Sequence, residues 1–213
     1  DLALVLDSHS DPASTFETNV MGMVNLLECV RERPWIKAAV LVTSDKVYRN
    51  NEWDWGYRET DVLGGHDPYS GSKGCAELVA YSYFHSFLKQ SPTRIGIARA
   101  GNVIGGGDWA QNRLIPDIMQ SLVSKSQLTV RNPTSIRPWQ FVMEPLCGYL
   151  ALVESLWNYG TKYAEDWNFG PNDDECQPVS WIVERLGALW GTKVGWKEIP
   201  KSYPHETNYL RLE

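Results

Sequence analysis

The chain has 213 residues, 43% hydrophobic and 22% charged, which suits one large domain, or one and a half, with a sizeable core. A net charge of −6 argues against a nucleic-acid groove, although local arginine placement still permits anionic small molecules. No apolar run approaches the roughly 20 residues of a membrane helix, no signal peptide opens the chain, and Cys29, Cys75, Cys147 and Cys176 lie scattered without a CxxC, as reduced thiols in a cytoplasmic protein do.

In chain order, the first predicted element is a helix over 12–33. Asp11 stands at its N-cap, Pro12 in its first position, and Phe16, Val20, Val24, Leu27 and Val30 form one apolar face. "IKAAVLVTS" reads as a buried strand, and 49–68 as a long polar loop of the kind that tends to be functional. A second helix follows over 67–90, opened by Asp67 and Pro68, and then the strand "RIGIARA" and the glycine-rich loop "GNVIGGGDWAQN". Beyond it lie a helix at 113–125, a short strand "QLTV", extended "IRPWQFV" and a strongly apolar helix at 144–160. The strand "DWNFG", a helix at 178–191 closed by Gly191 and a last strand "KVGWKEI" complete the series. Alternation of strand and helix predicts an α/β fold: a parallel, doubly wound sheet with helices on both faces.

Two polar clusters stand out. Thr43, Ser44, Asp45 and Lys46 follow one another at the exit of the first strand, where a cap and surface turn is the plain reading. Tyr69 and Lys73 lie four apart, one turn apart on one helix face. A phenol with a reference pKa of about 10 is a poor base at neutral pH, and a fixed ammonium beside it favours the phenolate. Such a pair can accept the proton of an alcohol during hydride transfer. Alone, YxxxK is a weak signal whose plain alternative is a solvated pair. In an open parallel sheet, however, ligands bind outside the carboxyl ends of the strands, and both clusters project toward that crevice.

The pieces "NVMGMVNLLE", "VTSDKVY", "YSGSK", "RAGNVIGGG", "RPWQFV" and "WNFGPN" resemble the extended short-chain dehydrogenase/reductase family, in its order and over almost the whole chain. "WDWGYRETD", "DPYSGSKGCAE" and "IRPWQFVMEP" narrow the resemblance to nucleotide-sugar 4,6-dehydratases, nearest to the branch that acts on CDP-glucose. The resemblance implies NAD as cofactor and a nucleotide-diphosphate hexose as substrate. Tyr69 would take the proton of the sugar's 4-hydroxyl, Lys73 would lower its pKa and hold the nicotinamide ribose, and Ser44 would hydrogen-bond the 4-oxygen. Asp45 matches the acid that protonates the departing 6-hydroxyl. Lys46 stands where most dehydratases carry Glu, so two roles stay open: base at carbon 5, or ion-pair partner of Asp45. Asn19 and Thr43 match cofactor-side positions. Asn102, Arg137 and Arg113 match contacts to the sugar nucleotide, and Arg137 supplies the planar fork that suits a pyrophosphate. Trp109 and Trp139 are either stacking surfaces or core. His66 is a loop residue, and no spacing suggests a metal.

The family's G-x-G-x-x-G fingerprint after a first strand is absent, and Gly105–Gly107 follow a late strand instead. The expectation is therefore a partial Rossmann-type sheet lacking its N-terminal strands, with most of a small α/β substrate lobe. Residues 1–110 and 144–170 would form the cofactor side, and 111–143 and 171–213 the substrate lobe. Such a remnant exposes a sheet edge and apolar helix faces, and is expected to be inactive by itself. A homodimer or higher homo-oligomer would pair through helices 12–33 and 68–90. The alternatives are an epimerase, against which Asp45–Lys46 argues, a dehydratase for another nucleotide, or a non-catalytic sugar-nucleotide binding module.

Overall fold

The computed structural model describes residues 5–199 and 207–213. Helix α1 (Val5–Ser10) leads into α2 (Pro12–Phe16), a π turn at Glu17–Met21, and α3 (Gly22–Arg31). Strand β1 (Ala38–Val42) and a 3-10 turn at Asp45–Val47 precede α4 (Pro68–Tyr83) with a π turn at Phe84–Leu88. Then come β2 (Arg94–Ala100), β3 (Val103–Ile104), α5 (Leu114–Ser124), β4 (Leu128–Val130), β5 (Ile136–Arg137), β6 (Gln140–Phe141) and α6 (Met143–Tyr159). The series closes with β7 (Asp166–Phe169), β8 (Gln177–Pro178), α7 (Val179–Trp190) and β9 (Trp196–Glu198).

The main sheet is parallel, in the order β1-β2-β7, with Ala98 of β2 beside Val42 on one side and Trp167 on the other. Strand β2 is buried along nearly its whole length, as a central strand covered on both faces must be. On one face α3 and α4 bury Leu27, Val30, Ala80 and Leu88 against Leu41, Ile95 and Ile97. On the other, α6 sets Leu152 and Leu156 against Ala98. Gly148 lets α6 lie close to the sheet, since a Cβ there would sit 2.4 Å from the Phe169 ring. This is the expected α/β architecture.

A second cluster joins α5, α7 and β4 through Ile118, Leu122, Leu128, Val130, Ile182 and Val183. A third packs the loop after β1 against the C-terminal segment, with Val47, Tyr48 and Tyr57 on Leu210 and Leu212. Among the described residues β1 is paired on one side only, and Leu78, Tyr81, Phe87 and Leu150 are exposed. No helix of the described residues is long and apolar enough to cross a membrane.

Three details differ from the periodicity. Each of the two helices predicted before residue 91 carries a π turn, and the one at Glu17–Met21 turns Asn19 inward to Ser72. The extended "IRPWQFV" holds two short strands: Ile136–Arg137 runs antiparallel to β8, and Gln140–Phe141 runs parallel to β3. Pro138 lies at the break, where its missing N–H cannot join a ladder. Finally, Tyr209 and Leu212 make bridges to Ile136 and Tyr57, pairings that nothing in the periodicity announced.

Candidate active site

Parallel pairing sets the frame. The Thr43 N–H donates to the Ala98 carbonyl at 2.9 Å, so the ladder runs one residue past β1 and delivers the next residues to the carboxyl edge of the sheet. Ser44 is extended, and its Oγ accepts the Lys46 N–H at 3.2 Å, capping the turn that carries Asp45. The Ser44 hydroxyl also donates to Asp45 Oδ1 at 3.1 Å. Asp67 caps α4 by accepting the Ser70 N–H at 2.9 Å, while Ser8 of α1 accepts the Tyr69 N–H at 3.2 Å. Tyr69 is thereby fixed in the first turn of its helix, facing the strand exits.

A cavity of about 740 Å³ opens at these exits. Thr43, Ser44, Asp45, Lys46 and Tyr69 line one side; His66, Asn102, Trp109, Arg113, Arg137 and Trp139 also line it. Gly101 permits the tight approach at its floor: a Cβ there would lie 2.5 Å from Pro138 Cγ and 3.2 Å from Asp45 Oδ2.

The other sequence-selected residues sit as follows. Lys73 and Asn19 are buried behind the lining. Asn19 Nδ2 donates to Ser72 Oγ at 2.9 Å, and Ser72 donates to the Tyr69 carbonyl at 2.7 Å, so Asn19 acts on the Tyr69 turn. The Thr43 hydroxyl donates to Glu77 Oε1 at 2.5 Å. Arg113 pairs with Asp108 at 2.9 Å. The Arg137 guanidinium is buried and donates to the carbonyls of Ile136 and Thr207 at 2.9 and 2.6 Å, held in place by the C-terminal segment. Trp139 packs beside the α5–α7 cluster, its Nε1 donating to the Gln177 carbonyl at 2.9 Å, whereas Trp109 is 82% exposed at the cavity rim. Among the described residues no group of three His, Cys, Asp or Glu is arranged to hold a metal.

Burial controls the electrostatics. It pushes the Tyr69 phenol up to about 12, with the Ser44 hydroxyl working the other way. It pulls the Lys73 ammonium down to about 8, opposed by the Glu77 carboxylate. The groups that pull the Tyr69 phenol down are Ser44 and Arg113, not the expected Lys73, and burial outweighs them in the protein alone. Burial also raises the Asp45 carboxyl, against the pull of Lys46, Ser44 and Arg137. Asp45 is 3% exposed and its Oδ2 has no hydrogen-bond partner. A carboxyl held toward its protonated form is suited to give a proton.

That burial has a stability consequence. A raised carboxyl binds its proton more tightly folded than unfolded, so its penalty is absent below the unfolded value of about 4 and grows as pH rises toward the folded value. Asp45→Asn removes the penalty and keeps an acceptor for Ser44. The variant is expected to melt higher than the parent at pH 7, with the gain vanishing near pH 4. A lower melting temperature at pH 7 would contradict this account of Asp45.

The sequence did not single out a buried ionic group behind these residues. Arg99 of β2 is clamped on Glu77 through Nε and Nη2, reaches Asp166 at 2.6 Å, and donates to Tyr48 Oη at 2.8 Å. Tyr48 Oη in turn donates to Asn168 Oδ1 at 2.7 Å. The available signals were a second arginine, Arg99, inside the apolar run that follows Arg94 and a glutamate one turn beyond Lys73.

Residues 2–159 match the family described as GDP-mannose 4,6 dehydratase. "CDP-glucose 4,6-dehydratase" of Salmonella typhimurium is 50% identical over 215 residues, covering 99% of this chain and 60% of that protein. "dTDP-D-glucose 4,6-dehydratase" of Dictyostelium discoideum is 28% identical over 54% of this chain and 27% of its own length. Among solved structures, the dTDP-glucose 4,6-dehydratase DesIV of Streptomyces venezuelae, with NAD and TYD bound, superposes with a TM-score of 0.81 at 22% identity, covering 99% of this chain and 62% of that one. The UDP-glucose 4-epimerase of Thermus thermophilus, in complex with NAD, superposes with a TM-score of 0.85 at 20% identity, covering 99% and 66%. These structural likenesses establish the fold, and the chain spans about 60% of the length of the Salmonella relative.

Proposed function

The chain belongs to the GDP-mannose 4,6-dehydratase family, and on that premise we propose that the protein performs NAD-dependent 4,6-dehydration of a nucleotide-diphosphate hexose, with CDP-glucose as substrate. The observation that carries the proposal is the convergence of Ser44, Asp45, Lys46 and Tyr69 on one cavity at the carboxyl ends of β1 and β2. The 50% identity to an enzyme named for CDP-glucose favours that nucleotide over others.

The residues present fit the nicotinamide end of the cofactor. A buried phenol and ammonium stand beside strand exits, and the Asp45 oxygen that lacks a protein partner is left to donate its proton to a sugar hydroxyl. Tyr69 and Lys73 would hold the nicotinamide ribose of NAD, and the cofactor would supply a hydride acceptor for carbon 4 and a hydride donor for carbon 6. Tyr69 accepts the proton of the 4-hydroxyl, and Ser44 donates a hydrogen bond to the oxygen that becomes the carbonyl. That carbonyl acidifies the hydrogen on carbon 5, which Lys46 removes. Asp45 protonates the departing 6-hydroxyl, and one water leaves. Arg137, with Arg113 and Asn102, meets the pyrophosphate and sugar. Residues 1–110 and 144–170 serve the cofactor side, and 111–143 with 171–213 the substrate side. A cytoplasmic location, a homodimer and a place in deoxysugar biosynthesis belong to the same proposal.

Mass spectrometry tests it: CDP-glucose incubated with NAD and the full-length protein that carries this chain should yield a product lighter by one water. Unchanged sugar nucleotides across a panel of bases would reject the reaction. A second measurement isolates Lys46. Lys46→Ala is expected to slow exchange of the carbon-5 hydrogen with solvent by about a hundredfold, the lower end for a general base. Exchange at the parental rate would leave Lys46 as the ion-pair partner of Asp45 and not the base.

A further inference from the structure

Lys73 is an ammonium almost withdrawn from water, at 5% exposure, and an ammonium in that position tends to shed its proton. What opposes the loss is local. Glu77 is 2% exposed and lies one turn further along α4, on the same face. Its two oxygens are fixed: Thr43 at the end of β1 donates to Oε1 at 2.5 Å, and Arg99 of β2 engages both oxygens. Arg99 is held in turn by Asp166 of β7, by Tyr48 and by the Glu59 carbonyl. A carboxylate serving only as the counter-charge of Arg99 would not need to reach the residue beside Ser44, yet Glu77 links both to the helix that carries Tyr69.

We propose that Glu77 is a positioning residue for the proposed proton transfer: it keeps Lys73 charged behind Tyr69 and ties the turn holding Lys73 to the strand end holding Ser44. The inference rests on the proposed roles of Tyr69 and Lys73. Helix α4 itself contributes Tyr69 and Glu77, its N-cap contributes Asp67, the exit of β1 contributes Asp45, and Arg113 stands before α5; Asp45, Arg113 and Asp67 act on Tyr69. Arg99 from β2, Asp166 from β7 and Tyr48 lie on the far side of Glu77. The π turn after α2 brings the neutral Asn19, and α1 brings Ser8. The Glu77 carboxylate acts on Lys73.

Competitive acetylation across pH, read on the Lys73 peptide by mass spectrometry, gives the titration midpoint of Lys73 without any turnover. In Glu77→Gln the midpoint is expected about one to two pH units lower, the effect of a unit charge roughly 6 Å away in a partly screened interior. Glu77→Asp, which keeps the charge, should stay near the parent. The alkaline limb of the kcat profile should move down with the midpoint in Glu77→Gln, while KM changes less. An unchanged midpoint in Glu77→Gln, an equal drop in Glu77→Asp, or a limb that does not follow the midpoint would each overturn the proposal. Should Glu77→Gln not fold, Glu77→Gln with Arg99→Gln removes both halves of the buried pair, and a smaller fall in the same direction is expected, because the opposing charge of Arg99 goes with it. Because acetylation reads Lys73 directly, a parent protein inert toward every nucleotide sugar would reject the proposed reaction while the midpoint still decides the Glu77–Lys73 coupling.

Discussion

Tyr69→Phe is expected to lower kcat on the order of 10³–10⁴-fold, toward the upper end of what one general base contributes, with little change in folding. The ring is 7% exposed and fills its site without the hydroxyl, so the substitution removes a proton acceptor and little packing. Burial holds the phenol near 12 and Lys73 near 8. The rate should therefore climb with pH while the phenolate becomes accessible, then turn over near pH 8 as Lys73 loses the charge that supports it. Turnover of CDP-glucose by Tyr69→Phe within tenfold of the parent would remove Tyr69 from the proton path.

Arg99→Met should cost about 3–5 kcal/mol of folding stability, the loss that follows when one partner of a buried ion pair is removed and the other stays charged in the interior. Arg99 is 1% exposed and Glu77 is 2% exposed. The effect is read from the shift of a urea midpoint at constant slope. Adding Glu77→Gln to Arg99→Met should recover part of the loss, because the orphaned charge is then gone. A single variant within about 1 kcal/mol of the parent would show that Asp166 and Tyr48, and not Arg99, hold this junction.

Much of the site was legible along the chain because its residues are local to two signals. Ser44, Asp45 and Lys46 follow a run of apolar residues, and a strand of that kind in a parallel sheet must end at the ligand-binding edge. Tyr69 opens a helix whose start is written in Asp67 and Pro68, and the structure brings it to the same cavity. The tryptophans were not separable: Trp139 anchors to Gln177 while Trp109 stands at the rim, and local sequence does not encode which element comes to cover a ring. The π turn that points Asn19 at Ser72 was equally hidden: it rotates the helix so that Thr15 and Asn19 are buried and Phe16, on the predicted apolar face, is exposed.

The sequence by itself determined the alternating elements, the helix caps, the polar strand exit and the Tyr69–Lys73 spacing, because each depends on neighbours within a turn or a strand. Only the tertiary structure decided which charges meet. Glu77, Arg99 and Asp166 are separated along the chain by 22 and 67 residues at their two contacts, and parallel pairing of β1, β2 and β7 is what brings them together behind the cavity. The protonation of Asp45, Tyr69 and Lys73 was likewise beyond reach of the sequence, because burial sets it, and burial is a property of everything folded around them.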